Sequence, residues 1–134
     1  MSQLLESYGF QGRSVIHPSA CISQLASLGK NVQIMSGANI APFSSIDDYS
    51  IINTGANVDH DCVIGKAVHL APNAALAGEV IVDDYAFIGT NATILPRIHI
   101  SQSSTVGAGS VVTKNVPESV TVIGSPARLL SNSN

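Results

Sequence analysis

His60 stands between two carboxylates, in the stretch VDHDCVIG, within a chain in which only 11% of residues are charged. Imidazole is the side chain whose ordinary pKa puts a proton in play near neutral pH. A neighbouring carboxylate fixes its tautomer and stabilises the imidazolium that forms when the ring takes a proton from a nucleophile. Asp59, His60 and Asp61 therefore read in two ways. They are a general base with an orienting acid, Asp61 or Asp59, or they are a solvated turn whose aspartates cap backbone N–H groups. A second histidine, His69, follows nine residues on. Neither cysteine reads as a nucleophile, since Cys62 falls at an inward position of the pattern described next and Cys21 lies far back along the chain.

What positions these groups is a repeat. Counting in sixes from Ile16, every position to Val112 is Ile, Leu or Val, and four residues after each comes a small or branched residue, from Ala20 to Val116. That makes seventeen hexads over residues 16–117. The small residue and the next aliphatic are two apart, so on a strand they face the same way. The third and fourth residues of each hexad are left as a corner. Pro18, Pro42, Pro72 and Pro96 all fall on the third, and glycines such as Gly55 and Gly109 on the fourth, which is turn chemistry. Short strands joined by tight corners wind into a parallel β-helix, for which hexapeptide repeats are a signature. Three hexads make one triangular coil, and residues 18 apart should stack. His60 and Asp61 then sit at a prism edge, with Pro42 below and Gly78 above. Gly78 has no side chain, so space is expected beside the imidazole. His69 points out from a face beyond the next corner, so within one chain the two histidines should lie apart.

The beat fails at Glu118, so the expected organisation is an N-terminal helical cap over residues 1–15, coils over 16–117 and a tail over 118–134. Outward positions carry Ile51, Val63, Ile81, Phe87, Leu95 and Val111, more apolar surface than a monomer usually shows. On a three-sided prism this predicts a cyclic homotrimer.

Totals bound the rest. A net charge of −3 with no basic run gives no general attraction to nucleic acid. No apolar run approaches the ~20 residues of a membrane span, and the first residues lack a signal-peptide pattern. Two cysteines suggest no disulfide framework, so a reducing, cytoplasmic setting is expected. His17 and His99 read as structural, and the pairs Asp47, Asp48 and Asp83, Asp84 as solvated. From residue 95 onward Arg97, Lys114 and Arg128 face only Glu118, a local positive excess.

The hexad series, the corner VDHDCVIG, the following VHLAP and AGEV, and the ending VGAGSVVTKNVPESVTVIGSPARLL together resemble the hexapeptide-repeat acyltransferases. The likeness is nearest to the bacterial nucleotide-amino-sugar N-acetyltransferases and sialic acid O-acetyltransferases, over residues 13–130. The resemblance implies an all-β, left-handed parallel β-helix with a short N-terminal helix and a C-terminal tail, assembled as a trimer with acetyl-CoA between subunits. It implies His60 as base and Asp61 as its orienting acid, with His69 near the acetyl group. It also implies that Ala77, Gly78, Gly107 and Gly109 line the CoA path and that Gly124, Pro126 and Arg128 lie toward the nucleotide end. That subfamily usually carries an N-terminal nucleotide-binding domain. Here LLESYGFQGRSVIHPSA resembles only its join to the coils, so the acyl-donor half is expected without the substrate-holding half.

Two other classes share the fold. A zinc hydratase of the γ-carbonic anhydrase type needs three converging ligands and an open position. That family's close histidine pair is absent, since eight residues separate His60 from His69, so no metal is expected. A non-enzymatic trimeric scaffold is the other alternative. Acetyl-CoA binding discriminates among them. The acceptor, a small molecule bearing an amine or a hydroxyl, is not distinguished by the coils.

Overall fold

The computed structural model describes Ser7 and residues 12–131. The expected N-terminal helix falls mostly outside the described residues. From β1 (Val15–Ile16) to β17 (Val111–Val112), two-residue strands recur every six residues, followed by β18 (Thr121–Gly124) and β19 (Ala127–Leu129). They form three parallel ladders, and partners are 18 apart throughout the coils, as in Ile34 with Ile52 and Ile52 with Leu70. The fold is a left-handed parallel β-helix of about six turns.

The repeat explains the geometry. Each coil buries its aliphatic and small positions, and from Val32 to Val112 nearly all are sealed from solvent. At the fourth residue of each hexad the backbone turns into the left-handed region, from Asn31 through Gly37, Phe43 and Gly55 to Gly109. A positive φ there, after a third position that accepts proline, is what a type II turn requires. Corner backbone groups bond to the coil above or below, as in Asp61 N–H to the Pro42 carbonyl at 3.2 Å.

The stacking continues past Glu118. Val116 pairs with Ile100 and Val122 with Val106, each 16 residues apart rather than 18. The corner after Val112 is short by two residues, so Val116 takes the aliphatic place and Val122 follows six later, both buried. Ser119, three after Val116, has the positive φ of the regular corner (57°). The beat slips and resumes. β18 therefore extends the first ladder, and β19 folds back on it antiparallel, pairing Ile123 with Arg128.

The three faces can be named by their outward residues. The first carries Gln33, Ile51, His69 and Phe87; the second Asn39, Asn57, Ala75 and Thr93; the third Ser45, Val63, Ile81 and His99. Val63, Ile81, Phe87 and Leu95 are all exposed in the single chain.

Candidate active site

His60 lies at the edge between the second and third faces, between β8 (Asn57–Val58) and β9 (Val63–Ile64). Its corner is pinned on every side. Asp59 N–H bonds to the Leu76 carbonyl at 3.0 Å, and the His60 carbonyl accepts Glu79 N–H at 2.9 Å. From below, the buried Ser44 hydroxyl donates to the Asp59 carbonyl at 2.7 Å and accepts Cys62 N–H at 3.1 Å.

The two aspartates divide the roles that the sequence leaves open. Asp59 caps the backbone, its Oδ1 accepting His60 N–H at 2.8 Å. Asp61 Oδ2 lies 2.8 Å from His60 Nδ1. An ionised carboxylate only accepts, so the proton sits on Nδ1 and Nε2 is the basic nitrogen. The Asp61 bond, chief among the causes, together with the negative charges of Asp59, Asp61 and Glu79, raises the His60 pKa above its ordinary value against an opposing desolvation.

Gly78 lets the imidazole pack closely against it. A Cβ there would lie 2.6 Å from His60 Cε1 and from Nε2. The space expected beside the imidazole is thus taken by the imidazole itself, which stacks against the bare backbone one coil up. Ala77, next to it, accepts the Cys62 S–H at 3.2 Å through its carbonyl. Burial pushes the Cys62 thiol up to about 11, so it stays protonated.

His69 is on the first face in β10 (His69–Leu70), away from the edge that holds His60. Its Nε2 lies 3.1 Å from Asn53 Nδ2, and its ring meets Phe87 edge to face at 5.2 Å. Partial burial lowers its pKa, which favours the neutral ring. Within one chain the two histidines are not brought together.

Gly107 and Gly109 form a corner on yet another edge, between the first and second faces. Gly107 lies against the Ile123 side chain, while nothing stands within 4 Å of a Cβ placed on Gly109. Gly124 N–H bonds to Ser110 Oγ at 3.1 Å. Pro126 follows in the hairpin turn, and the exposed Arg128 lines a groove of about 260 Å³ with Lys114, Asn115 and Pro117. These C-terminal residues form one group and His60, Asp61, Ala77 and Gly78 another. A wider open groove of about 520 Å³ lies on the third face beside Ser45, Asp47 and Asp83. It is a shallow flank of the prism and does not include His60.

Sequence reading missed three features. His99 Nε2 meets Asp83 Oδ2 at 2.7 Å, so Asp83 has a protein partner as well as solvent. Asn53 meets His69 in the same arrangement, again across 16 residues. That spacing joins the outward residue after one strand to the outward residue of the strand stacked above it, and it was available as a signal. Glu79, one coil above Asp61, also faces the dyad and lies 3.7 Å from Arg97. Among the described residues no three His, Cys, Asp or Glu side chains converge as a metal site would need.

The chain is similar in sequence and in its β-helix to solved hexapeptide-repeat acetyltransferases. It is 45% identical to PerB from Caulobacter crescentus, solved in complex with CoA and GDP-perosamine, with a TM-score of 0.95 over 97% of this chain and 63% of that one. It is 35% identical to the acetyltransferase domain of PglB from Neisseria gonorrhoeae, also solved with acetyl coenzyme A, with a TM-score of 0.92 over 96% of this chain and 63% of that one. WeeI from Acinetobacter baumannii matches at 35% identity and a TM-score of 0.93, with 96% of this chain and 63% of that one covered. A curated serine acetyltransferase of Buchnera aphidicola is 50% identical over 38 residues, 28% of this chain and 14% of the relative. The chain thus spans less than two thirds of these solved relatives and a small part of the curated one. No protein-family model matches it.

Proposed function

We propose that this chain carries the catalytic coils of an acetyl-CoA-dependent acetyltransferase acting on an amine or hydroxyl of a sugar, with His60 as general base. The observation that carries this reading is His60 itself. Its Nδ1 is held by Asp61 at 2.8 Å and its Nε2 is turned to the bare backbone of Gly78. Nε2 removes the proton as the acceptor nitrogen or oxygen attacks the thioester carbonyl. The C–S bond then breaks, and the proton held on Nε2 goes to the departing CoA sulfur. Asp61 holds the ring throughout, and the charges of Asp59, Asp61 and Glu79 favour the transient imidazolium. A backbone N–H near Gly78 or the ring of His69 steadies the oxyanion.

The residues suit a CoA path. Ala77 and Gly78 keep side chains out of the way beside the base, and Gly109 leaves open space at its corner. Gly124, Pro126 and Arg128 belong to the C-terminal hairpin, and Arg128 with Lys114 offers cations to phosphates at its groove. The two groups of residues lie on different edges of one chain, and His69 on a face away from His60. A cyclic homotrimer, with His60 of one subunit meeting His69 of the next, would unite them and cover the exposed Val63, Ile81, Phe87 and Leu95. Two free cysteines suit a reducing cytoplasm. Relatives solved with CoA, acetyl coenzyme A and GDP-perosamine support both the donor and a nucleotide-linked amino sugar as acceptor.

Calorimetric titration with acetyl-CoA tests the donor. One site per subunit is expected, with His60→Ala still binding but releasing no CoA to an acceptor. Absence of binding would leave the coils as a trimeric scaffold. Mixing inactive His60→Ala and His69→Ala subunits tests the shared site. Random trimers would regain about 25% of wild-type sites if each site takes one histidine from each of two neighbours.

A further inference from the structure

The corners of this prism close in two different ways. At the edge between the first and second faces, the turn is tied directly across itself. Ala56 N–H bonds to the Asn53 carbonyl at 3.0 Å, Ala74 to Ala71 at 3.1 Å and Ala92 to Gly89 at 3.1 Å. At the corner of His60 the corresponding groups are Cys62 N–H and the Asp59 carbonyl, and a hydroxyl stands between them. Ser44 Oγ accepts from Cys62 N–H at 3.1 Å and donates to the Asp59 carbonyl at 2.7 Å. One hydroxyl is both acceptor and donor, so it can be inserted into a hydrogen bond without leaving either group unsatisfied.

The insertion is not needed for packing. Ser44 is buried at the small position of its hexad, 1% exposed, and the same position is alanine at residues 38, 56, 74, 86 and 92, all buried. The fold accepts alanine there repeatedly. Ser50 makes the same insertion at the next corner, donating to the Gly65 carbonyl at 2.7 Å and accepting from Val68 N–H at 3.0 Å, so the device is a turn closure that residue 44 applies directly beneath His60.

We propose that Ser44 is a positioning residue for His60, holding open by hydroxyl insertion the corner from which the imidazole and its Asp61 partner project. The inference rests on the reading of His60 as the base. Asp61 occupies the left-handed position of this turn, with φ 57°, so the peptide joining His60 to Asp61 lies between the two groups that Ser44 bridges. Without the hydroxyl, Cys62 N–H and the Asp59 carbonyl have each other as nearest partners, as at residues 53–56. The turn then narrows, and the peptide that aims Nδ1 at Asp61 rotates.

Cys62 repeats the device one coil higher. Its S–H donates to the Ala77 carbonyl at 3.2 Å, as the Ser44 hydroxyl donates to the Asp59 carbonyl. A thiol inserted at the Gly78 corner therefore continues the column begun by the hydroxyl at the His60 corner. At both corners a buried side chain from the coil below donates to the first carbonyl of the turn. This gives a conservative variant from within the chain itself, because Ser44→Cys places below His60 the group that already stands below Gly78.

The test follows the His60 ring by NMR titration in wild type and in Ser44→Ala, Ser44→Cys and Ser104→Ala, together with steady-state acetyl transfer. Ser104 is a buried serine at the same hexad position on another edge, whose turn closes directly through its own N–H to Ser101. The charged groups facing His60 are Asp59, Asp61 and Glu79, with Arg97 paired to Glu79, and none is altered. Ser44→Ala is expected to lower the His60 pKa toward the ordinary value of about 6.5 as the Asp61 bond is misaligned. It should cut kcat about tenfold or more, with KM for acetyl-CoA changed less than about twofold. Ser44→Cys should restore most of both, and Ser104→Ala should match wild type. The proposal is overturned if Ser44→Ala titrates and turns over like wild type, or if Ser104→Ala shifts His60 as much. If wild type itself transfers no acetyl group, the base reading fails, while the titrations still decide whether Ser44 sets the ring.

Discussion

Replacing Gly78 with alanine probes the base through a single methyl group. A Cβ on Gly78 would stand 2.6 Å from both Cε1 and Nε2 of His60, whereas ordinary contact begins near 3.4 Å. The ring must therefore retreat by about 0.8 Å, the difference between those distances. The backbone at Gly78 does not lie in the left-handed region, so alanine brings no φ strain there. The imidazole is half-exposed and free to give way. The cost then falls on alignment rather than stability. Folding free energy should change by less than ~1 kcal/mol. A displacement approaching 1 Å at a catalytic atom costs on the order of 10²-fold in rate, or ~2.7 kcal/mol on the barrier. Steady-state kcat at saturating acetyl-CoA, read beside the thermal midpoint, separates the two. A variant within twofold of wild-type kcat would refute the placement of Nε2 against Gly78. Loss of activity accompanied by global unfolding would refute the claim that the exposed ring yields. Normal kcat with weakened acetyl-CoA binding would assign Gly78 to the donor path alone.

Asp61→Asn removes the main cause of the raised His60 pKa, so the acid limb of the kcat/KM profile should move to lower pH. More neutral imidazole is then present near pH 6–7, yet the plateau should fall by ~10²-fold or more because the ring loses its orienting charge; an unshifted limb in the pH–rate profile would contradict this. Gly65→Ala would put a Cβ 2.7 Å from the Asp84 backbone nitrogen and 2.9 Å from the Asp83 carbonyl carbon, where no flexible group can yield. Denaturant unfolding should show a loss of about 1–3 kcal/mol, unlike Gly78→Ala. Ile52→Ala, in the sealed stack between Ile34 and Leu70, should cost about 2–5 kcal/mol by the same measurement.

The hexad is a strong signal because it is local. An aliphatic every six residues, a small side chain four after it and proline or glycine at the corner each act within a few residues of backbone. Strand positions, edges and the stacking of Pro42, His60 and Gly78 therefore followed from counting. The same locality explains the misreading at Glu118. A corner two residues short looks like the end of a repeat until Val116 is seen on Ile100 and Val122 on Val106.

The sequence by itself determined the prism, its register and the presence of an imidazole beside two carboxylates at an edge. The tertiary structure decided which carboxylate does what, with Asp59 on the backbone and Asp61 on Nδ1. It also decided that the imidazole fills the space over Gly78, that Asp83 binds His99, and that Ser44 is threaded into the turn below His60. Periodicity fixes where a side chain starts and which way it faces. Hydrogen bonds between coils depend on the orientation of groups 15 to 18 residues apart, and that is set only once the coils are stacked.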